Sequence, residues 1–304
     1  MRSSNMDDKD FFPLVSVPVI TYNSSKTIIE TLDSVNNQTY SNLELIVSDD
    51  CSTDNTVDIC REWIEAHKER FVRTELLTVE KNTGVSANGN RAKEKCHGEW
   101  VKGVAGDDIL LPDCIETYIE YVKEHPDAVY VFAMVELFGG DEKLRIGQQN
   151  FYFRELKSFF DLSIEEQYDY LTLKTNCIPA PASFYNKEKV DALGLVNDVR
   201  IPFLEDWPKW INLLKLGVRI HYIDKKTVRY RLSNTSLSSC RKTPEKFERS
   251  KALFYVYYCF ENEYKKKDKK TAVLKWLRAQ KTIHNGSAAW KVLLRLYKKV
   301  FSIY

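Results

Sequence analysis

The stretch LVSVPVITYNSSKTIIETLDSVNNQTYSNLELIVSDDCSTDNT, residues 14–56, decides the fold class. It holds an apolar run rich in β-branched residues at 14–20, a segment with apolar residues at helical spacing, and a second apolar run at 43–47. Short apolar runs of this kind are typical of buried strands, and the segment between them is long enough for a crossover helix. This order predicts two parallel neighbouring strands in an α/β protein.

The same alternation of strand and helix continues to about residue 138. Residues 73–79, 100–106 and 128–138 predict three further strands, so we expect a mostly parallel, Rossmann-like sheet with helices on both faces. For the first helix, Ser24 or Ser25 is the expected cap. The second half is less regular. It predicts a loop at 139–150, a helix with a capping box at Ser163 and Glu166, two strands at 218–223 and 227–232, and helices from about residue 243.

Polar residues follow three of the predicted strands where each strand ends. Residues 21–23 follow the first strand, Asp49 and Asp50 the second, and Asp107 and Asp108 the fourth, within GVAGDDILLP. The carboxyl ends of parallel strands meet at one edge of a sheet, where ligands bind. Two adjacent carboxylates suit a hard divalent cation. The competing interpretation is a solvated turn whose acids favour the start of the following helix.

Charge is distributed unevenly along the 304 residues, although the net charge is only +2. Residues 241–304 carry 17 Lys and Arg against 5 Asp and Glu, whereas residues 1–240 carry 28 against 38. A basic segment of this kind favours an anionic partner. Residues 286–304 form a basic amphipathic helix pattern with aromatics, which is typical of contact with a membrane surface. Packing on the body or on a second subunit, as in a homodimer, is the alternative.

Cellular location is indicated by the cysteines and the apolar runs. There are 7 cysteines, an odd number at wide spacing without a CxxC pair, which argues against a zinc site and a disulfide framework. The N-terminal residues lack the apolar core of a signal peptide, and no run approaches the ~18 apolar residues of a membrane span. We therefore expect a cytoplasmic protein with reduced thiols, peripheral at the inner face of the membrane if the basic helix binds lipid.

Taken in order, the motifs resemble those of family 2 glycosyltransferases. The resemblance covers residues 13–238: a strand ending in TYN, QTY after the first helix, LELIVSDDCSTDNT, NTG, GDDILLP and LEDWPKWINLLKLG. It implies a GT-A fold with a polar tail at 1–12, a glycosyltransferase domain at 13–240 and a basic helical extension at 241–304. Within the domain, 13–138 is the implied nucleotide-sugar half and 139–240 the acceptor half.

The resemblance also implies a set of binding residues. The implied ligands are a nucleotide-diphosphate sugar donor, which in this family is usually a UDP-sugar, and Mn²⁺ or Mg²⁺. Asp107 is the implied metal ligand, and Ala105 stands where the family has its first motif aspartate. The residues implied to bind the nucleotide sugar are Thr21, Tyr22, Asn23, Asp50, Asn82, Gly84, Arg91 and Asp108.

The implied reaction inverts the anomeric carbon, so it needs a base for the acceptor hydroxyl. Asp206 is the implied catalytic base and Glu205 the second candidate, whereas helix capping is the competing role for Asp206. Ser233 replaces a family histidine, and Arg231 is a candidate substitute for it.

These features predict an inverting transferase that moves a sugar to a hydroxyl of a glycan or lipid-linked acceptor in bacterial capsule, O-antigen or exopolysaccharide synthesis. Two alternatives stay open: a catalytically impaired nucleotide-sugar-binding relative, and a sugar nucleotidyltransferase. The second is disfavoured because TYNSSK at 21–26 is not a glycine-rich triphosphate loop. A nucleic-acid partner is not expected, because no aromatic-basic platform accompanies the basic segment.

Overall fold

The structure, a computed structural model, describes residues 11–204, 206–232 and 244–301. Its strands are β1 (Val15–Thr21), β2 (Leu43–Asp49), β3 (Arg73–Leu77), β4 (Trp100–Val101), β5 (Val104–Ala105), β6 (Ile109–Leu110), β7 (Tyr130–Phe138), β8 (Ser183–Asn186) and β9 (Ile220–Arg231). Its helices are α1 (Ile28–Asn36), α2 (Thr56–His67), α3 (Val85–Glu94), α4 (Cys114–Glu124), α5 (Glu142–Phe160), α6 (Ile164–Leu173), α7 (Lys187–Ala192), α8 (Trp207–Lys215), α9 (Pro244–Phe254), α10 (Phe260–Lys266), α11 (Lys269–Ile283) and α12 (Ala288–Val300).

All the strands join one mixed sheet in the order β3-β2-β1-β4-β8-β7-β9-β6, with β5 also paired to β1. The pairs among β1, β2, β3, β4 and β5 are parallel, and so is β7 with β9. Strand β8 runs antiparallel to both neighbours, and β6 runs antiparallel to β9. The α/β class is confirmed, and all the parallel pairs except β7 with β9 lie in the half that was predicted to be regular.

The register of β1 and β2 positions the site. Val15, Val17 and Val19 are fully buried, as is every residue of β2, which is typical of a strand covered on both faces. Thr21 pairs with Asp49 at the end of the ladder, and the Asp50 amide donates to the Thr21 carbonyl at 3.0 Å. The residues that follow both strands therefore emerge side by side.

Two strand predictions were wrong in their boundaries. Residues 100–106 form two short strands, β4 and β5, because the chain breaks its ladder at Lys102 and Gly103. Residues 218–232 were predicted to contain two strands, but β9 is one strand. At its charged stretch, residues 224–226, the pairing of β9 with Ala133 and Met134 of β7 shifts in register. A bulge, not a turn, therefore accommodates the extra residues.

Two helix starts also differ from the predictions. Residues 139–150, predicted as a loop, contain the start of α5, which is capped by the Asp141 side chain accepting from the Leu144 amide at 2.9 Å. Helix α1 begins at Ile28 without a side-chain cap, and Ser24 contributes its carbonyl, not its hydroxyl. The capping box of Ser163 and Glu166 is confirmed.

Helices α9 to α12 confirm the helical prediction for the basic segment. They pack on the body through the rings of Trp207 and Phe254, 4.3 Å apart, and through a 2.7 Å hydrogen bond from Asn262 to Thr172. The domain boundaries at residues 13, 138 and 240 stay predictions. All six cysteines in the described ranges are free thiols, and Cys240 lies outside them. None of the described helices combines the length and apolarity needed to cross a bilayer.

Candidate active site

Asp50 lies at the centre of the first half of the site. It is almost fully buried, and its carboxylate accepts hydrogen bonds from the Thr83 amide and hydroxyl, from the Gly84 amide at 2.7 Å and from Arg91 Nη2 at 3.1 Å. Burial alone raises the pKa of Asp50, but these donors outweigh it, and the pKa is lowered. Asp50 is therefore a fixed anion that holds the loop before α3 against the end of β2.

Helix α3 supplies a second link to the strand ends. Asn88 is buried and donates to the carbonyls of Ser48 at 3.0 Å and Thr21 at 3.3 Å. Arg91, one turn further along, donates to the Asn88 side chain at 2.8 Å as well as to Asp50. Arg91 thus contacts Asp50 from the helix face next to Asn88.

The turn after β1 has an unusual backbone conformation. Asn23 has φ of +52°, its amide donates to Ser52 Oγ at 2.7 Å, and its side chain accepts from the Thr53 amide at 2.8 Å. These contacts lock the turn after β1 to the turn after β2. Tyr22 stays 48% exposed, so its ring is available to a ligand.

Asp49 and Asp50 have different partners. Asp49 accepts hydrogen bonds from the amide and hydroxyl of Ser52, so it holds the turn before α2. Cys51, between them, has φ of +68°, a left-handed conformation that favours glycine. Asp49 therefore holds the turn before α2, whereas Asp50 holds the loop before α3.

The two acids of the GDD stretch follow β5. The Gly106 amide donates to the Ile20 carbonyl at 2.9 Å, which holds this turn against the end of β1, and a Cβ at Gly106 would lie 2.9 Å from Thr21 Oγ1. Asp108 is buried. Its Oδ1 accepts from the Arg231 amide at 2.8 Å, while its Oδ2 has no partner in the part of the chain that the structure describes.

Arg231 joins the acid pair to α1. Its Nε donates to the Asp107 carbonyl at 2.7 Å, and its Nη2 forms an ion pair with Glu30 at 2.5 Å. Burial raises the pKa of Asp107, and the nearby Arg231 guanidinium opposes that rise. The pKa of Asp108 is raised further by burial and by the charge of Asp107.

Lys102 is a buried cation that the sequence analysis did not select. It is fully buried, and its Nζ donates to the carbonyls of Gly103 at 2.8 Å and Pro181 at 2.7 Å. Burial lowers its pKa, and Asp108 lies within electrostatic reach. A lysine inside an apolar strand pattern is its only sequence signal, because its carbonyl partner at Pro181 is 79 residues away.

Asp206 stands immediately before α8, in the N-cap position, but it does not make the capping hydrogen bond. Its carboxyl lies in electrostatic reach of Tyr130, Tyr152 and Lys209. Burial raises its pKa. That rise is opposed, but not cancelled, by Lys209, by the backbone amides of Asp206 and Trp207 and by the Asn176 side chain. Capping therefore does not account for this aspartate.

Hydrogen bonds connect the Asp206 region to the Asp50 region through α3. Lys209 Nζ donates to the Asn197 side chain at 2.9 Å, and the Asn197 backbone exchanges hydrogen bonds of 2.9 and 3.1 Å with the Asn90 side chain. Asn90 precedes Arg91, the partner of Asp50. These bonds link the start of α8 to the Asp50 region through α3, whereas the turn of Asp107 is joined to β1 separately, through the Gly106 amide and the Ile20 carbonyl.

The structure gives less information about the other residues that the sequence predicted for the site. Asn82 is exposed at the loop before α3, and Gly84 takes φ of +90° at the helix start. Glu205 and Ser233 lie outside the described residues. The residues that sequence reasoning missed are Glu30, Asn88, Lys102, Asn176 and Lys209. Most of their partners are distant in sequence, and only Lys102, inside an apolar strand pattern, has a sequence signal.

A divalent cation fits the donor set at the end of β5. The unpaired Oδ2 of the buried Asp108 and the neighbouring Asp107 carboxylate are hard oxygen donors. Among the residues described, no group of three or more His, Cys, Asp or Glu side chains could hold a metal by itself. The protein thus offers a partial ligand set, which oxygen atoms of a bound phosphate would complete.

Comparison with known proteins shows which sequences and folds this chain resembles. Residues 16–194 match the sequence profile of Glycosyl transferase family 2. A protein of Bacillus subtilis (strain 168), named as the teichuronic acid biosynthesis glycosyltransferase TuaG, is 28% identical over 245 residues, covering 81% of this chain and 87% of its own.

Solved structures show the same fold at lower identity. The S. aureus TarS 1-349 structure in complex with UDP-GlcNAc has a TM-score of 0.60 at 20% identity, over 88% of this chain and 79% of its own. The Pyrobaculum calidifontis mannosyltransferase PcManGT, in complex with GDP-Man and Mn²⁺, has a TM-score of 0.57 at 17% identity, over 96% and 81%. Since the sequence profile covers more than half of the chain, the protein belongs to glycosyl transferase family 2.

Proposed function

We propose that the protein is an inverting, metal-dependent glycosyltransferase that uses a nucleotide-diphosphate sugar, with a UDP-sugar as the expected donor. The observation that carries this proposal is the set of hydrogen bonds that links the turns of Asp50 and Asp107 to β1, and α8 to α3. The ends of β1, β2 and β5 are hydrogen-bonded to one another, and α3 links them to the Asp206 region. Family membership and the nucleotide-sugar ligands named for TarS and PcManGT support the proposal.

The nucleotide lies, in this proposal, across the ends of β1 and β2. Tyr22 offers an exposed ring for stacking on the base, and Thr21, Asn23, Asn82 and Gly84 border the same turns. Asp50 has a fixed negative charge, which suits the N3–H donor of uracil. Arg91 keeps that charge in position through its 3.1 Å contact.

The diphosphate and the sugar lie beside Asp107 and Asp108. Mn²⁺ or Mg²⁺, held by Asp107, would neutralise charge on the diphosphate as it leaves. Asp108, whose Oδ1 is engaged by the Arg231 amide, has Oδ2 available to orient the ion or to accept from a sugar hydroxyl. Arg231 fixes this turn through the Asp107 carbonyl, and its guanidinium is the nearby cation in the absence of a histidine at Ser233.

Asp206 acts as the base, and Glu205 is the second candidate. The acceptor oxygen forms a bond to the anomeric carbon as the carbon–oxygen bond to the diphosphate breaks. The electron pair leaves with the nucleoside diphosphate, and the hydroxyl proton passes to the Asp206 carboxylate. The raised pKa of Asp206 suits this role, because a base is most effective when its pKa lies closer to the working pH.

The acceptor is proposed to be a glycan or lipid-linked saccharide in bacterial surface polysaccharide synthesis, as the teichuronic acid name of the TuaG relative suggests. A lipid-linked acceptor would place a cytoplasmic enzyme at the inner face of the membrane, in contact through residues 286–304. Association into a homodimer through the same segment is the competing use of that surface.

The test is a panel of nucleotide sugars scored by thermal stabilisation with and without Mn²⁺. The correct donor should stabilise the protein by mass action, about 2.7 kcal/mol at a hundredfold excess over its dissociation constant. Asp107→Asn should remove the Mn²⁺-dependent part. Asp58→Asn, at an exposed α2 position paired with Arg61, is the matched control and should leave it intact.

Donor hydrolysis and transfer assays separate the alternatives. The impaired-relative alternative predicts stabilisation by a nucleotide sugar with no turnover in wild type. A nucleotidyltransferase would release pyrophosphate from a nucleoside triphosphate and a sugar phosphate. If no nucleotide sugar stabilises the protein, or if Mn²⁺ changes nothing for any of them, the proposed function is wrong.

A further inference from the structure

Helix α12 carries apolar side chains that the described structure leaves exposed. We define its apolar crest as Val292, Leu293, Leu296 and Val300, which are 50%, 46%, 53% and 72% exposed. At about 100° per residue, these four positions fall within a single arc of the helix. Isolated exposed apolar residues are ordinary, but a continuous arc on one helix indicates a contact surface.

The crest is bounded on one side by the part of α12 that packs on the protein. The Trp290 ring lies 5.6 Å from the Trp276 ring of α11, and the Tyr297 hydroxyl donates to the Lys270 carbonyl at 3.1 Å. Phe301 lies under the Lys270 ammonium at 5.2 Å. These contacts fix the rotation of α12, so the crest is held outward by a packed aromatic flank.

On its other side the crest is bounded by cations. The basic flank of α12 consists of Lys291, Arg295, Lys298 and Lys299. Residues 269–301 contain nine Lys and Arg and not one Asp or Glu. Arg295 and Lys299 fall next to the crest on the helix surface, where long cationic side chains can reach the headgroup level while the crest enters the acyl boundary.

We infer that α12 docks its apolar crest, with Arg295 and Lys299 beside it, onto the surface of an anionic lipid bilayer. This inference rests on the proposed function only in giving a reason for membrane proximity. A bilayer satisfies both features at once, since acyl chains take the crest and anionic headgroups take the cations. A second copy of the chain fits less well, because crest-to-crest pairing would bring together two segments that carry only positive charge.

The test is sedimentation of the full chain with vesicles of phosphatidylcholine alone, and of an equal mixture with phosphatidylglycerol. Wild type should bind the mixed vesicles, and it should bind the neutral vesicles weakly or not at all. Its binding to the mixed vesicles should decrease at high salt. Arg295→Gln with Lys299→Gln should weaken binding about 25-fold, at about fivefold per charge. Leu293→Ser with Leu296→Ser should weaken it at least about tenfold, since two exposed leucines lose their burial in lipid.

Matched controls are Val72→Ser and Arg61→Gln, exposed positions away from the basic segment, which should change binding less than about twofold. Equal binding of wild type and the crest variant overturns the inference, as does no binding of wild type to anionic vesicles. A crest variant that loses a dimer but keeps vesicle binding also overturns it, in favour of a second copy. Stabilisation by nucleotide sugar without vesicles should be unchanged in the crest variant, so the transferase proposal is tested separately.

Discussion

Asp206→Asn is expected to slow transfer by several orders of magnitude and at the same time to stabilise the folded protein. The half-buried Asp206 lies within electrostatic reach of Tyr130 and Tyr152, and burial raises its pKa although Lys209 opposes the rise. Its charged form is thus disfavoured in the fold. The asparagine amide has the same shape and avoids that cost, so the substitution should stabilise the fold. Replacing an aspartate whose charge stabilises the fold would have the opposite effect.

The pH dependence fixes the sign of this effect. Because the folded-state pKa of Asp206 is above its unfolded value of about 3.9, the native state binds its proton more tightly than the unfolded state does. This contribution to stability is complete below the unfolded pKa and is lost as the pH rises through the folded pKa, at up to about 1.4 kcal/mol per pH unit. Asparagine does not titrate, so the variant keeps the stability that wild type loses as the pH rises.

The expected gain at pH 7 is about 1–2 kcal/mol in the free energy of unfolding, the usual size of one stabilising substitution. It should shrink toward zero near pH 4. Transfer should fall about 10²- to 10⁴-fold, the usual contribution of a positioned base. Urea unfolding between pH 4 and pH 8, at about half-unit steps, measures the first quantity, and product formation measures the second.

Asp198→Asn is the matched control of opposite sign. Hydrogen bonds from Arg200 and then Tyr258 lower the pKa of Asp198 against its burial, so its charged form stabilises the fold. That contribution is present above the unfolded pKa and lost as the pH falls through the folded pKa. The variant should lose about 1 kcal/mol at pH 7, discounted because Arg200 is largely exposed.

The reasoning about Asp206 is refuted if Asp206→Asn is less stable than wild type at pH 7 and the deficit grows with pH. That result would mean that the carboxylate stabilises the fold through Lys209 and is not a strained base. Lys209→Met offers a second check. It removes the cation that lowers the pKa of Asp206, so the acid limb of the transfer rate should move to higher pH.

Three further substitutions test the strand ends. Cys51→Gly should raise the free energy of unfolding by about 1 kcal/mol, because φ of +68° strains any side chain, and urea unfolding measures it. Gly98→Ala should cost about 2–4 kcal/mol by the same measurement, since the new Cβ would lie 2.6 Å from the Ser16 amide nitrogen, where backbone cannot yield cheaply. Arg91→Met should weaken nucleotide binding about tenfold in titration calorimetry, because Asp50 loses one of its fixed donors, while leaving Mn²⁺ dependence in place.

The regular half of the fold could be predicted because its signals are local. Strands β1 and β2 are buried runs of β-branched and aliphatic residues, and their parallel pairing follows from the crossover helix between them. Strand β9 could not be predicted as one element, because its charged stretch at 224–226 has the composition of a turn, whereas in the sheet it forms a bulge in β9 opposite Ala133 and Met134 of β7. Helix α5 was missed because its first residues are polar and exposed.

The candidate site could also be predicted only in part, because local motifs mark its acids but not the residues that hold them. Asp50, Asp107 and Asp206 follow motifs in the sequence, so their type and order were predictable. What holds them was not, because those partners come from elsewhere in the chain. Lys102 reaches the Pro181 carbonyl, Arg231 reaches Glu30 across about two hundred residues, and neither contact leaves a local pattern.

The contacts of Asp107 and Asp108 explain why two adjacent acids can end an apolar strand here. Asp108 is engaged on one oxygen by the Arg231 amide and lies near the buried Lys102, and both oppose, without cancelling, the rise in its pKa that burial and Asp107 cause. For Asp107 the rise from burial is opposed by the nearby Arg231 guanidinium and by its own backbone amide, and its carboxylate is the group left for a ligand. With two cations already beside two acids, a third carboxylate at Ala105 is not needed for charge balance. Replacing Lys102 by methionine should therefore harm the site more than restoring an aspartate at Ala105 helps it, and the Mn²⁺-dependent stabilisation by donor would measure both.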